Sequence, residues 1–185
     1  MMRKDSEVKE SGSGFTLVEL MVVIGIIGIL AGVVTPNLIG WLPNYRLRSA
    51  ARDIYSNFQK AKLTAIKQHC LCTITFRQPV GGTTYDYVVF IDENNNMEYD
   101  SSDDRIIARA QLADYKNVSF DTSQGGGDGI SFTNNDLGHP AIAFRTNGLP
   151  RSNSGIAGNG RVYLINTKNR TTEVIVSAAG NIRID

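Results

Sequence analysis

The acidic residue Glu19 stands inside the most apolar stretch of the chain. No residue from Leu20 to Val34 is charged, and residues 15–34 contain no polar side chain besides Thr16 and Glu19. A helix of about 20 residues spans the roughly 30 Å hydrocarbon core of a bilayer. A carboxylate placed there costs about 2.5–3.5 kcal/mol on insertion scales, so we expect Glu19 to have a partner or a function.

The only two cysteines, Cys70 and Cys72, are separated by one residue and follow His69. Residues two apart on a strand point to the same face, so a disulfide between them would be strained, although an oxidising compartment would permit it. Three ligands cannot close a structural zinc site. We favour two buried thiols at the start of a strand over a disulfide, and we expect no metal.

An acidic segment between Asp92 and Asp103 repeats oxygen-bearing side chains at spacings similar to those of a calcium loop. Met97 stands where such a loop needs glycine, and Asp103 replaces the usual bidentate glutamate. We therefore favour a solvated acidic hairpin turn over a calcium site. The residues that carry the pattern are Asp92, Asn94, Asn96, Glu98, Asp100 and Asp103.

No set of residues in the sequence points to an enzyme. The glycine-rich run Gly125-Gly126-Gly127-Asp128-Gly129 lacks the Lys and Ser/Thr of a phosphate-binding loop, so we interpret it as a turn. Nothing resembles a nucleophile elbow, and two histidines offer few bases. We expect no catalytic residues and no cofactor.

The periodicity of apolar residues changes from helical to alternating near residue 70. Apolar residues from Leu47 to Ala65 recur at steps of three and four, which predicts an amphipathic helix that Pro36 and Pro43 should kink or interrupt. Short β-branched and aromatic runs bounded by turn residues then predict strands. These runs are Leu71–Phe76, Tyr85–Ile91, Ile106–Leu112, Val118–Phe120, Ile130–Phe132, Ala141–Phe144, Val162–Asn166, Glu173–Ala178 and Ile182–Ile184.

The residues before the apolar stretch do not match a secretory signal peptide. Residues 1–14 are mostly polar, have no net formal charge and end in Ser11-Gly12-Ser13-Gly14. A signal peptide instead begins with basic residues and carries its small residues after the apolar core. A single-pass anchor with a polar tail also fits this order, but it gives Glu19 no purpose.

The run Gly14-Phe15-Thr16-Leu17-Val18-Glu19 resembles the processing motif of type IV pilins and type II secretion pseudopilins. The resemblance implies a leader over residues 1–14, removed by a prepilin peptidase between Gly14 and Phe15, and methylation of the new Phe15 amine. It also implies an assembly role for Glu19, which would face the Phe15 amine of a neighbouring subunit. An acid near the membrane interface with no such partner is the alternative interpretation of Glu19.

Later segments are similar to the GspH/FimT group within that superfamily. They include two parts of the predicted helix, a hairpin that leads into the acidic segment, Phe144-Arg145-Thr146-Asn147-Gly148 and Gly180-Asn181-Ile182-Arg183. The resemblance implies an α+β, pilin-like fold. A long N-terminal helix over residues 15–69, transmembrane over about 15–36 and amphipathic over about 37–69, would pack on an antiparallel β head of residues 70–185. The chain would cross the inner membrane once and carry its head in the periplasm.

Three functions are compatible with this resemblance. The first is a minor pseudopilin at or near the tip of a type II secretion pseudopilus, and the second is a minor pilin of type IV pili. The third is a DNA-binding subunit in DNA uptake, which some FimT-like members achieve with a C-terminal Gly-Arg-x-Arg element. Here Asn181 replaces the first arginine and leaves Arg183, and the formal net charge is only +1. We favour the pseudopilin, with other pseudopilins or minor pilins as partners and no nucleic acid.

Overall fold

The computed structural model describes residues 14–185, except for the side chains of residues 35–39. The chain divides after Gly40 into two compact units. In the first unit, the helical segment Leu17–Val34 has a mean hydropathy of 2.7, and none of it is buried within the structure. By length and composition this segment is able to cross a membrane.

Helix α1 runs over Leu17–Gln68. The helix continues through Pro36 and Pro43, so the predicted interruption at these residues does not occur. It ends before His69, whose φ of 52° is in the left-handed region and stops further helical hydrogen bonding. The end of the helix agrees with the predicted change of periodicity near residue 70, but the left-handed conformation of His69 was not predicted, because histidine is uncommon there.

Nine strands form two antiparallel sheets in the second unit, Trp41–Asp185. Sheet A has the order β3-β2-β1-β5-β6 and sheet B the order β4-β7-β8-β9. The strands are β1 Leu71–Val80, β2 Thr83–Asp92, β3 Arg105–Ala110, β4 Val118–Phe120, β5 Ala141–Phe144, β6 Pro150–Arg151, β7 Gly160–Asn166, β8 Thr171–Val176 and β9 Ile182–Ile184. An α+β, pilin-like fold is therefore confirmed.

The core of the second unit lies between α1 and the two sheets. The predicted stripe supplies its helical part, since Leu47, Ala51, Ile54, Phe58, Ala61 and Ala65 are all buried. Phe58 meets Phe76 of β1 edge-to-face at 6.4 Å and Phe132 at 5.9 Å between ring centroids. The buried alanines let the strands approach the helix closely, while the aromatic rings fill the centre of the core.

The predicted strand Ile130–Phe132 is wrong. Ile130 forms a single bridge with Val162 of β7, and the Ser131 N–H donates to the Arg161 carbonyl at 2.9 Å. The next backbone N–H of β7, from Arg161, is accepted by the Ser131 hydroxyl at 2.8 Å instead of by a backbone carbonyl. A side chain therefore takes the place of the next ladder bond, and no strand forms. The short strand β6, Pro150–Arg151, was not predicted. The other errors concern strand ends, as at Leu112, which opens a short 3-10 helix, Leu112–Asp114.

The acidic segment between β2 and β3 folds over the face of sheet A that points away from α1. Met97 is fully buried there in a small second core, and Tyr99 contacts Phe90 edge-to-face at 5.5 Å. The buried carboxylate of Asp92 accepts the Thr73 hydroxyl and the Met97 N–H, both at 2.8 Å. The segment is therefore an ordered, anchored loop, and the carboxylate of Asp92 is used to fold it.

Candidate functional site

The start of α1 carries the residues that the sequence singled out. Thr16 precedes the first helical residue and Glu19 lies in the first turn. The Glu19 carboxylate oxygen Oε2 accepts both the Thr16 backbone N–H and the Thr16 hydroxyl, each at 3.1 Å, and the Thr16 Oγ1 accepts the Glu19 N–H at 3.2 Å. These reciprocal bonds form a capping box, which satisfies two backbone donors that a helix start leaves unpaired.

The capping box gives Glu19 a partner that the sequence reasoning missed. The signal was present as Thr-x-x-Glu ahead of an apolar run. A carboxylate near a helix N-terminus is also stabilised by the helix dipole. Glu19 is thus held in a defined position one turn from the start of the helix, where a cation placed beside the helix end would meet it.

The predicted junction between Gly14 and Phe15 lies just before the helix. Residues 14–16 are not helical, and both Gly14 and the Phe15 side chain are exposed. A Cβ built on Gly14 would meet no atom within 4 Å among the described residues. The backbone at this point is therefore accessible, and no packing within the described part of the chain requires a glycine at position 14.

Two late motifs meet at one lysine of α1. The Lys62 ammonium donates to the Gly180 carbonyl at 2.8 Å, and a Cβ on Gly148 would stand 2.9 Å from Cδ1 of Ile66 and 3.2 Å from Cε of Lys62. Gly148 and Gly180 have positive φ of 75° and 79°, which suits turns that glycine forms without strain. One turn belongs to sheet A and the other to sheet B, so this contact ties both sheets to the helix.

A second polar contact holds α1 to sheet A. The Tyr87 hydroxyl, which is buried, donates to Asp53 Oδ2 at 2.7 Å and accepts from Asn57 Nδ2 at 2.8 Å. Burial, followed by the hydrogen bond to the Asp53 carboxylate, raises the pKa of Tyr87 above its ordinary value. This group therefore acts as a neutral donor that positions the helix.

Arg183 does not join a cluster of free arginines. Its guanidinium pairs with the Asp185 carboxylate at 3.0 Å on the edge strand β9. The Arg161 guanidinium pairs with Glu173 at 3.1 Å, and those of Arg145 and Arg151 donate to loop carbonyls. Arg170 lies apart from these residues, in a groove beside α1.

Cys70 and Cys72 are free thiols. Cys72 is buried in the core, and burial raises the pKa of its thiol to about 12. Cys70 lies just before β1 and is only half-buried, which corrects the expectation that both thiols are buried. Burial, its largest cause, raises the pKa of Cys70 as well. Among residues 14–185, no three His, Cys, Asp or Glu side chains lie together in a group that could hold a metal ion.

Comparison with known proteins agrees with this architecture. Residues 50–180 match the family model described as type II transport protein GspH, and residues 12–35 match the prokaryotic N-terminal methylation motif. The chain is 26% identical over 174 residues to the pilin-like protein PilA1 of Thermus thermophilus, covering 93% of this chain and 97% of that protein. No solved structure matches the chain. The chain belongs to the GspH family of the type IV pilin and pseudopilin superfamily.

Proposed function

We propose that this chain is a minor pseudopilin, assembled at or near the tip of a type II secretion pseudopilus to support protein export. The observation that carries the proposal is that one chain matches two family models in succession. Residues 12–35 match the methylation motif, and residues 50–180 match the GspH model. Proteins of this kind are structural subunits. Their partners are the prepilin peptidase and other pseudopilins or pilins.

The proposed pathway begins in the inner membrane. The segment Leu17–Val34 would cross the bilayer once, with the head in the periplasm and residues 1–14 as a leader on the other side. The peptidase would cut the exposed bond between Gly14 and Phe15, and the new Phe15 amine would be methylated. That amine is a cation a short distance from Glu19, which the capping box already positions.

Glu19 would then set the register between subunits. A carboxylate and an ammonium attract strongly where water is excluded, so an amine of one subunit and Glu19 of the next would favour one axial position. The capping box supports this role because both Thr16 donors bind Oε2 of Glu19. No described residue donates to Oε1, so that oxygen remains available to an amine of a neighbouring subunit.

Mass spectrometry of the mature protein tests the processing step. We expect a chain that begins with Phe15 and carries one additional methyl group. Gly14→Leu should leave the full-length chain uncut, whereas the matched control Gly12→Leu should be processed normally. A mature chain that starts after residue 35 would instead indicate a secretory signal and would refute the proposal.

Three substitutions separate the two roles of Glu19. Glu19→Leu removes both roles, makes the segment easier to insert in lipid, and should still impair incorporation into filaments. Glu19→Gln keeps an acceptor for Thr16 but loses the charge, whereas Thr16→Val keeps the charge and loses the hydroxyl. If charge pairing is essential, sheared filaments should lack the Gln variant and contain the Val variant. The reverse result would reduce Glu19 to a helix cap.

The alternative is a minor pilin of a type IV pilus, which the name of the pilin-like relative in Thermus thermophilus favours. A gene deletion distinguishes the two functions. Loss of exported proteins from the medium with normal twitching and DNA uptake supports the pseudopilin. Loss of pili or of DNA uptake, with export intact, supports the pilin.

A further inference from the structure

A stripe of aromatic and basic side chains runs along α1 where the Trp41–Asp185 unit begins. Its members are spaced by four, three and four residues, so they share one face of the helix. They are Trp41, Tyr45, Arg48 and Arg52, and all four are exposed. The rings of Trp41 and Tyr45 contact each other at 5.2 Å between centroids. We refer to these four residues as the aromatic-basic stripe.

The aromatic-basic stripe borders a basic groove. The groove has a volume of about 720 Å³, and its lining includes Arg48 and Arg52 of the stripe and Arg170 from the turn between β7 and β8. A smaller hollow of about 330 Å³ shares the two stripe arginines with the groove and extends to Trp41 and Tyr45. Aromatic rings and guanidinium groups therefore open onto one continuous surface of the head.

The three guanidinium groups of the basic groove are unmatched within the described residues. No hydrogen bond or ion pair joins the side chains of Arg48, Arg52 or Arg170 to another described group. Asp185 also lines the groove, but its carboxylate pairs with Arg183. Guanidinium groups bind phosphate oxygens in a planar, paired geometry, so the groove suits a phosphate-bearing anion.

The chain sequence places this surface at the exit from the apolar segment. No charged residue stands between Glu19 and Arg46. At a helical rise of about 1.5 Å per residue, residues 20–45 extend for about 39 Å, close to the thickness of a bilayer with its headgroup regions. Trp41 comes only seven positions after Val34, the last residue of the segment able to cross a membrane. The stripe therefore begins where a spanning helix would leave the hydrocarbon and enter the headgroup layer.

The composition of the stripe is typical of a membrane interface. Tryptophan and tyrosine are enriched at the level of the headgroups, because their rings are apolar and their N–H or O–H groups reach water. Arginines just outside the hydrocarbon attract anionic lipids, and their long apolar stems let the charge reach the phosphate layer. An acidic peptide would also pair with the arginines, but it gives no reason for exposed aromatic residues at the exit from an apolar segment.

We propose that the aromatic-basic stripe and the basic groove bind the headgroup of an anionic phospholipid. The two aromatic rings lie at the boundary between headgroups and hydrocarbon, and the three guanidinium groups surround the phosphate. The site rests on the proposed function, because it requires Leu17–Val34 to cross the membrane. It keeps the head of an unassembled subunit at the bilayer surface until the subunit enters a filament. Because the membrane segment holds the head close to lipid, a contact that is weak in free solution is sufficient.

Trp41, the single tryptophan of the chain, reports directly on this contact. Full-length protein is reconstituted into phosphatidylcholine vesicles that contain about 20% phosphatidylglycerol, with bromine on the acyl chains of an equal amount of one lipid or the other. Bromine quenches tryptophan fluorescence only at short range. Brominated phosphatidylglycerol should quench Trp41 about twofold more than brominated phosphatidylcholine, because the anionic lipid is held beside the stripe. Equal quenching by the two lipids overturns the proposal, and this comparison needs no substitution.

Substitution of the arginines tests which side chains hold the lipid. Arg48→Gln together with Arg170→Gln should lower the ratio of the two quenching values from about two to about one. The matched control, Lys67→Gln together with Arg109→Gln, removes two exposed positive charges elsewhere and should leave the ratio unchanged. A ratio that survives the first pair of substitutions overturns the proposal. So does a ratio lost equally in both pairs, since net charge alone would then attract the lipid.

Two soluble anions test the other occupants of the groove. An excess of inorganic phosphate or of a short oligoglutamate peptide should leave the quenching ratio unchanged relative to sodium chloride at the same ionic strength, because the tethered head meets lipid at a high local concentration. Loss of the ratio with either anion would show a site for free phosphate or for an acidic peptide, and would overturn the proposal. Failure here with a correctly processed and methylated Phe15 leaves the proposed function intact.

Discussion

Removal of the Lys62 ammonium should loosen the attachment of both sheets to residues 41–68 of α1, which we call the head helix. Lys62→Met keeps an unbranched side chain of similar length beside Gly148 but removes the donor to the Gly180 carbonyl. Gly180 is buried, so its carbonyl would lose its partner in a site with little access to water. Hydrogen bonds from charged donors contribute about 1.5–3 kcal/mol, and we expect a loss in that range.

This loss converts into a measurable change in melting temperature. Domains of 150–250 residues, near the size of the Trp41–Asp185 unit, lose about 2–4 °C per kcal/mol, so the head should melt roughly 3–12 °C lower. The assay is thermal and urea unfolding of the purified fragment 41–185, which includes the head helix and both sheets. Circular dichroism monitors the unfolding. The matched control is Lys67→Met, an exposed lysine in the last turn of the same helix, which should change stability by at most about 0.5 kcal/mol.

Gly148→Ala is an independent probe of the same contact. A methyl group there would approach Ile66 Cδ1 to 2.9 Å at a φ of 75°, so it should also destabilise the head. If Lys62→Met and Lys67→Met unfold at the same temperature, the contact does not hold the sheets to the helix, and the reasoning fails.

The other predictions concern the same head. The fragment 41–185 should be monomeric and folded, whereas a fragment that lacks the first turns of the head helix should aggregate in size-exclusion chromatography, because it exposes the apolar faces of the sheets. Tyr87 has a raised pKa in the fold, so its contribution to stability is complete below about pH 10 and is lost as the pH rises further; urea titrations from pH 8 to 11 should show a smaller loss for Tyr87→Phe. Iodoacetamide at pH 8 should modify half-buried Cys70 before buried Cys72, as read by mass spectrometry of peptides. The head should not retard DNA in gels at physiological salt, and Arg183→Ala should change nothing, because that guanidinium is already paired; retardation at low micromolar protein that Arg183→Ala abolishes would contradict this.

The periodic segments of this chain were predictable because burial alone decides them. The stripe from Leu47 to Ala65 and the alternating run of β7 face one core, so the pattern of apolar residues indicates both the element and its buried side. The runs of β1 and β2 are continuously apolar because both faces of sheet A are covered there. The segment Ile130–Phe132 has the same composition, but a hydroxyl group replaces a ladder bond there. Strand propensity does not describe the competition between this hydroxyl group and a backbone carbonyl, because the outcome depends on which strand lies next to Ser131.

The charged residues were harder to place than the apolar ones. Glu19 was predicted as an acid in need of a partner, and the partner within its own helix turn was readable from Thr16. The environments of Arg170 and Arg183 were not readable, because pairing between distant strands puts one in an open groove and the other beside Asp185. Long-range neighbours of a surface charge depend on topology, which local sequence does not specify.

The packing of the head helix has a mechanical consequence. Its buried residues from Leu47 to Ala65 extend for about 27 Å along one side, and the same strip touches elements of both sheets. A pull along the helix axis therefore loads these contacts in parallel, so that the helix must slide past the whole strip at once before it can leave. A pull perpendicular to the axis would open them one after another. The head is thus built to resist tension along the helix more strongly than peeling from its side.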